Sequence, residues 1–412
     1  MHNKAVPSPE TPPRQFPEHL LTALQQLRAA ILETLLAVDA EPAKPQELAR
    51  RFDLNKNLTW KISKVVGAAD PYEAVPHIPG AAGLRIFLRA LQNGGAPAAL
   101  VEEASRAARE FDRVVKVHTG DRDTLDIMVG GLLPAAQQHE QIAQSRKLAY
   151  RGNSGTLGVR AKAQLMLAVL APNEADPDRA DLVQVGGLVG LRRLRPDVRW
   201  LLFRRERWDD DGPHPARDEV EPLDPAFSSG VPLLGDFCSK PIPDIDFVAG
   251  ASEDQYELPP GPVGNTAAFT CIYGQVSRRV GDAFARSEGE YSEIGCNVIT
   301  PAERLGVDLL VHRSYEWAME PELVMYSRLD GGAIHPTARR DRNVLPVTER
   351  VNDLGWGITA LATPILPTYG TLARMVFDRM GWDPEEFRAL RFSMAYPPIP
   401  AVALLRSALP VR

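Results

Sequence analysis

Residues 158–169 read GVRAKAQLMLAV, and the fold class is decided here because the hydrophobic period changes within this stretch. From Val159 onward every second residue is apolar, and the residues between them include Arg160 and Lys162. This two-residue period is typical of a half-buried β-strand. Upstream of Gly158, apolar residues recur at spacings of three and four, as in amphipathic helices. The sequence therefore predicts an α+β protein, with a helical N-terminal part and a β-rich C-terminal part.

The β-rich part continues as short apolar stretches separated by clusters of Pro, Gly and Asp. Further strands are predicted at 182–191, 198–205, 233–238, 245–249, 266–276, 290–299, 304–312 and 322–328. No regular helix separates these strands, as a parallel β-α-β fold would require, so we expect a mostly antiparallel sheet, sandwich or open barrel. A long surface loop is predicted at 209–230, and terminal helices at about 368–380, 384–394 and 400–408.

The helical part is divided by prolines and glycines, which end helices. Helices are predicted at 18–38, 46–52, 56–66, 81–93 and 97–117, with a polar, interrupted helix at about 122–147. Gly152–Gly155 is expected to be a flexible joint before the first strand. The resulting domain scheme has four parts: a disordered Pro-rich tail at 1–17, a helical domain at 18–118, a helical connector at 119–157 and a β-rich domain at 158–412.

The composition excludes several classes of protein. The chain has 412 residues, 44% hydrophobic and 24% charged, which is typical of a globular protein with two or more domains. Its longest apolar run, Leu165–Ala171, is far shorter than the roughly 18 residues that cross a bilayer, so we expect no membrane span. The first residues contain no apolar segment typical of a signal peptide, so we expect a cytoplasmic protein.

The cysteines are few and widely spaced along the chain. Cys238, Cys271 and Cys296 form no C-x-x-C pair, which argues against a disulfide framework and against a thiolate zinc site. His139–Glu140 begins like the zinc motif H-E-x-x-H, but Ala143 stands where the second histidine is needed. We therefore expect no metal and no cofactor.

Residues 46–65 read QELARRFDLNKNLTWKISKV and suggest two short helices joined by a tight turn. This stretch resembles the helix-turn-helix of bacterial transcriptional regulators. A small residue, Ala49, lets the two helices cross closely. The larger residues predicted to fill the angle between the helices are Phe52, Leu54, Leu58, Ile62 and Val65. Asp53 stands at the turn position where the family usually has Gly, and Thr59 stands where it usually has Val or Ile. Nothing after Gly67 is typical of a β-wing.

The resemblance implies that the remaining face of the second helix enters the major groove of DNA. The implied DNA-binding residues are Arg50, Arg51, Lys56, Asn57, Trp60, Lys61 and Lys64. Five of them are cations, and Asp53 is the only acidic residue between Arg50 and Lys64, although the whole chain has a net charge of −6. The local charge favours a polyanionic partner, double-stranded DNA.

The β-rich part contains three weaker candidate sites. Residues 192–208 combine seven arginines with Trp200, Phe203 and Trp208, a composition that serves either single-stranded nucleic acid or the solvent face of a strand. Asp308, His312 and Glu316, joined by His335 through the fold, have side chains that can ligate a divalent metal. Asp244 and Asp246 form another acidic pair. Each set is more typical of polar residues at the surface of strands, which is the interpretation that we favour.

Taken together, these features favour a DNA-binding transcriptional regulator. The β-rich domain would sense a small-molecule effector or assemble the oligomer, and a homodimer is expected because one recognition helix makes few base contacts. No set of nucleophile, base and orienting residue is apparent, which favours a non-enzymatic protein. Two alternatives stay open: an enzyme with its site near His312 and His335, and an interaction module whose N-terminal helices bind protein.

Overall fold

The computed structural model describes residues 16–133, 135–206, 220–227, 231–242, 244–250, 253–329 and 343–412. The chain divides into two compact units, 1–142 and 143–412. Most of the Pro-rich tail, the greater part of the loop expected at 209–230, and His335 lie outside the described residues. Among the described residues, no helix is long and apolar enough to cross a membrane.

The N-terminal region is helical, as predicted. Its helices are α1 (Phe16–Leu36), α2 (Pro45–Arg51), α3 (Lys56–Gly67), α4 (Ala81–Asn93), α5 (Ala98–His118), α6 (Arg122–Gly130) and α7 (Ala135–Leu157). The apolar stripe of α1 forms the centre of the first core, where Leu24 and Leu27 are fully buried together with Phe87 of α4 and Phe111 of α5. The three- and four-residue spacing of the leucines in α1 is the cause of this packing.

The flexible joint expected at Gly152–Gly155 is wrong, because these residues lie within α7, which continues to Leu157. The Ser154 hydroxyl donates to the Tyr150 carbonyl at 2.7 Å, and the Arg195 guanidinium donates to the carbonyls of Gly155 and Thr156 at 3.1 and 3.2 Å. The Arg195 contacts satisfy carbonyl groups that the end of a helix leaves unpaired. The helix ends at Gly158, whose φ of 73° lies in the left-handed region that favours glycine.

The C-terminal unit is built on a seven-stranded sheet. Its strands are β1 (Val159–Pro172), β2 (Arg179–Arg193), β4 (Val220–Pro222), β7 (Phe269–Asp282), β9 (Ala302–His312), β11 (Asn352–Trp356) and β12 (Phe387–Ala395). Their order in the sheet is β11-β12-β9-β1-β2-β7-β4. The pairs are antiparallel except β1 with β9, which is parallel. The mostly antiparallel α+β fold expected from the sequence is therefore confirmed.

Two small sheets and one helix complete this unit. One sheet comprises β8 (Tyr291–Val298), β10 (Glu322–Ser327) and β13 (Ala401–Ala408), in the order β10-β13-β8. The other comprises β3 (Trp200–Glu206), β5 (Asp246–Ala249) and β6 (Glu253–Leu258), in the order β3-β6-β5. Alternate residues of β1 enter different cores: Leu165 and Leu167 pack with helix α8 (Tyr369–Met380), whereas Met166 packs with β8 and β13. Both faces of the central sheet are therefore covered.

Several predicted elements of the C-terminal unit are wrong. The helix expected at 384–394 is a short 3-10 turn followed by β12, and the one expected at 400–408 is β13. Both strands place apolar residues on their two faces, so no regular two-residue period marks them. The strand expected at 233–238 is a 3-10 turn at Gly235–Phe237, and part of the expected loop, Val220–Pro222, is strand β4.

Candidate nucleic-acid interface

Helices α2 and α3 are the two short helices joined by a tight turn that residues 46–65 suggested. The turn between them is closed by a hydrogen bond from the Leu54 amide to the Ala49 carbonyl at 2.9 Å. Asp53 occupies the left-handed region with a φ of 49°, which Asp and Asn adopt more readily than most residues other than glycine. The Asn55 side chain then caps α3 by accepting from the Asn57 amide at 2.8 Å.

The rotation of α3 about its axis is fixed by the residues that it buries. Thr59, Ile62 and Val65 are buried, whereas Leu58, which we expected in the core, is only half-buried. Thr59 stands where the helix-turn-helix of bacterial transcriptional regulators usually has Val or Ile. Its hydroxyl donates to the Lys56 carbonyl at 3.1 Å. An internal hydrogen bond lets a threonine take a core position without an unpaired hydroxyl.

A side chain that sequence analysis missed, Arg28 of α1, holds the other end of α3. Its Nε donates to the Val65 carbonyl at 2.9 Å, and its Nη2 donates to the carbonyls of Val66, at 3.3 Å, and Ala68. A cation at these carbonyls also complements the negative end of the helix dipole. The only sequence signal for this role is that Arg28 is the single Lys or Arg of α1.

Five of the expected DNA-binding residues lie on one face of α3. Lys56, Asn57, Trp60 and Lys64 are exposed and Lys61 is half-exposed. The indole of Trp60 is 43% exposed, and its outer position places a large ring among cations. The Lys64 ammonium lies 5.9 Å from the centroid of this ring, within the distance of a cation–π contact. The face is thus cationic and aromatic while the opposite face of α3 is apolar and buried.

The two arginines at the end of α2 differ in their environment. Arg50 is exposed and has no hydrogen-bond or carboxylate partner among the described residues. Arg51 donates to the carbonyls of Val38 and Asp39 at 2.5 and 3.0 Å, and its guanidinium lies 5.0 Å from the centre of the Phe52 ring. Arg51 therefore stabilises the turn after α1. Unlike the lysines of α3, it is bound to groups of the protein itself.

A histidine outside the predicted set lies against this face. The His77 ring meets Trp60 edge to face at 5.3 Å. Burial, followed by the positive charges of Lys64 and Lys61, lowers the pKa of His77 below its ordinary value of 6.5. The imidazole is therefore neutral at pH 7, and the positive charge at this end of α3 comes from the lysines. Lys64 and His77 also line a cleft of about 800 Å³ beside the end of α3.

The segment that follows α3 contains no β-wing. Pro71–His77 is a 3-10 helix capped by Asp70, whose carboxylate accepts from the Tyr72 amide at 2.8 Å, and α4 begins at Ala81. No strand occurs among residues 16–133 and 135–142.

The arginine-rich stretch of the C-terminal unit has a different character, because its described arginines are bound within the protein. Arg193 is buried and donates to the carbonyls of Val198, at 3.1 Å, and Pro259. Arg199 pairs with Asp246 and, at 3.3 Å, with Glu257. Arg195 binds the end of α7, as described above. Arg207, Trp208 and the side chain of Arg205 lie outside the described residues.

The residues considered for a metal site are likewise separated. Arg391 binds both carboxylate oxygens of Asp308, at 2.6 and 2.7 Å. His312 instead contacts the Ser314 hydroxyl at 2.7 Å and lies 3.5 Å from a Glu386 carboxylate oxygen. The described part of the chain holds no group of three or more His, Cys, Asp or Glu that could bind a metal ion.

The three cysteines are free thiols, but two of them are neighbours in the fold. Cys238 and Cys271 are both buried, and a hydrogen bond from the Cys271 thiol lowers the pKa of Cys238. Their positions 33 residues apart in sequence gave no sign of this contact, which is brought about by the 3-10 turn at Gly235–Phe237 lying against β7.

No family model, curated protein or solved structure matches this chain.

Proposed function

We propose that the N-terminal unit binds double-stranded DNA through the outer face of α3, and that the protein is a transcriptional regulator. One observation carries this proposal: α3 is fixed by its buried face in a helix-turn-helix, while Lys56, Asn57, Trp60, Lys61 and Lys64 project from its other face. A fixed helix with an exposed polar and cationic face is what major-groove recognition requires.

The proposed residues have different roles. The ammonium groups of Lys56, Lys61 and Lys64 contact phosphates, which supplies most of the affinity and no base preference. Asn57 lies in the first turn of α3, where side chains reach base edges, and its carboxamide is suited to an adenine. Arg50 extends the cationic surface from α2. Arg51 is not included, because its guanidinium is bound to backbone carbonyls.

We further propose that the protein binds DNA as a homodimer. A single α3 contacts few base pairs, and a two-fold pair reads two half-sites about 34 Å apart along one face of the duplex. The C-terminal unit then serves assembly or the sensing of an effector.

A charge-reversal experiment tests the assigned face. In the full-length variant Lys61→Glu with Lys64→Glu, we expect DNA affinity to be lost at moderate salt and the log–log salt slope to decrease in magnitude by about 2 for each protomer. The measurement is fluorescence anisotropy with labelled duplex DNA over a salt series. Circular dichroism establishes that the variant is folded.

The matched control is Arg106→Glu with Arg109→Glu on α5. These two arginines have the same spacing, produce the same change in charge, and have side chains 69% and 65% exposed. We expect this variant to bind DNA nearly as the unaltered protein does. Equal affinity of the folded α3 variant would reject the α3 face. Absence of any binding by the unaltered protein at low salt would instead favour an N-terminal module that binds protein.

A further inference from the structure

A cavity of about 370 Å³ lies inside the C-terminal unit, at the lower end of the range for small-molecule pockets. One wall is the face of β1, β2 and β7 that carries Gln184, Gly186 and Tyr273, and the other is formed by β3, β8 and β13. No residue of this cavity belongs to the helix-turn-helix, so the inference drawn from it does not depend on DNA binding.

The sequence of β2 explains why the two layers do not close here. Along this strand Val183 and Val185 are buried in one core, and Gln184 and Gly186 face the cavity from the opposite side. Gly186 has no side chain to fill the space, and Tyr273 on the neighbouring strand lies across it. A Cβ atom at Gly186 would stand 2.5 Å from the Tyr273 ring.

Three of the polar side chains that line this cavity have no hydrogen-bond partner among the described residues. Gln184 and Gln275 are direct cross-strand neighbours on β2 and β7. Neither carboxamide, nor the Tyr273 hydroxyl, has a hydrogen bond within the part of the chain that the structure describes. Gln164, by contrast, donates to the Asn297 carbonyl at 2.7 Å. Two adjacent carboxamides offer both donors and acceptors, which suits a ligand that has both on one edge.

The walls favour a flat and uncharged ligand. The rings of Tyr273 and Phe203 are stacked with centroids 3.7 Å apart, and both line the cavity. Burial raises the pKa of Tyr273, and it raises the pKa of Cys296 to about 12, so both groups are neutral at pH 7. The cavity is lined by one basic and one acidic residue, Arg204 and Glu293, whose charges offset each other.

We propose that this cavity binds a small, uncharged heteroaromatic compound with an amide or lactam edge, of the size of a single nucleobase or of nicotinamide. The edge pairs with the carboxamides of Gln184 and Gln275, and the ring lies against Tyr273 and Phe203. Neutral aromatic rings contribute both stacking and apolar burial, while the carboxamides distinguish such a ligand from a plain hydrocarbon.

The probes are nicotinamide, uracil and hypoxanthine, with toluene as a ring of similar size that lacks hydrogen-bonding groups. Binding to the full-length protein is measured by saturation-transfer NMR and by calorimetry. We expect at least one polar probe to bind, and to bind more tightly than toluene. Failure of all three at millimolar concentration, or tighter binding of toluene, would overturn the proposed ligand class.

The double variant Gln184→Leu with Gln275→Leu tests the position of the site. Leucine has a similar size and is compatible with a strand, so we expect the variant to fold and to bind the polar probe at least tenfold more weakly. The variant Gln92→Leu, which changes an exposed glutamine of α4, is the control and should bind as before. Unchanged affinity in the double variant would place the probe elsewhere. The single variants provide the same comparison if the double variant is unstable.

Discussion

The outer face of α3 and the arginine-rich stretch of β2 and β3 both combine cations with aromatic rings, but their cations have different surroundings. Lys56, Lys61 and Lys64 have no carboxylate partner among the described residues. In the arginine-rich stretch, Arg193 and Arg199 are bound to carbonyls and carboxylates of the same unit. Cationic composition alone therefore does not indicate a nucleic-acid surface. What distinguishes the two regions is whether each cation is free to bind a phosphate or is already bound within the protein.

The largest effect that we expect from this difference concerns stability. Arg193→Met removes a buried guanidinium and leaves the Val198 and Pro259 carbonyls without their donor, so the free energy of unfolding should fall by about 3 kcal/mol. Lys64→Met, the same exchange on α3, should change it by less than about 0.5 kcal/mol. Urea unfolding followed by near-UV circular dichroism measures both. Equal changes in the free energy of unfolding would contradict the difference between a bound arginine and an available lysine.

A smaller effect is expected at Arg28, which connects α1 to the end of α3. Arg28→Met should lower the free energy of unfolding of the helical unit by about 1–2 kcal/mol, because three carbonyls lose a charged donor. Since α3 is then held less firmly, DNA affinity should also fall although no cation of the outer face has changed. Amide hydrogen exchange in α3 measures the loosening. Unaltered exchange at Val65 and Val66 would show that Arg28 does not hold the helix.

The smallest effect is a pKa difference at His77. Because burial and the two lysines lower the pKa of His77 in the folded protein, protonation favours the unfolded state. The helical unit should lose stability as the pH falls from 6.5 toward the lowered value. In Lys61→Ala with Lys64→Ala, the pKa measured by NMR titration should rise but stay below 6.5, since burial is the larger cause. An unchanged pKa would mean that the lysine charges do not reach His77.

The elements that could be predicted from the sequence are those whose local pattern is unambiguous. The structure has boundaries at the change of period at Gly158, at Pro45, which begins α2, at Gly67, which ends α3, and at Gly94, which follows α4. β12 and β13 could not be recognised as strands, because apolar residues on both faces remove the two-residue period and leave a short segment that also suits a helix.

The same distinction applies to the sites. The face of α3 follows from helical spacing within a few residues, so its members could be identified. Arg28, His77 and the pair Gln184 and Gln275 act through contacts between distant parts of the chain, and no local spacing reports such contacts. The involvement of Arg193 in backbone hydrogen bonds depends in the same way on a loop 66 residues further along.

The most direct test of the central claim, that Arg50 and the cations of α3 are available to DNA, is the salt dependence of duplex binding by the full-length protein. Each cation that contacts a phosphate contributes about −0.9 to the log–log slope. We therefore expect a slope of about −3.6 for each protomer from Arg50, Lys56, Lys61 and Lys64. A slope of that order would support the account. A slope near zero, or no binding at about 50 mM salt, where phosphate contacts are strong, would contradict it.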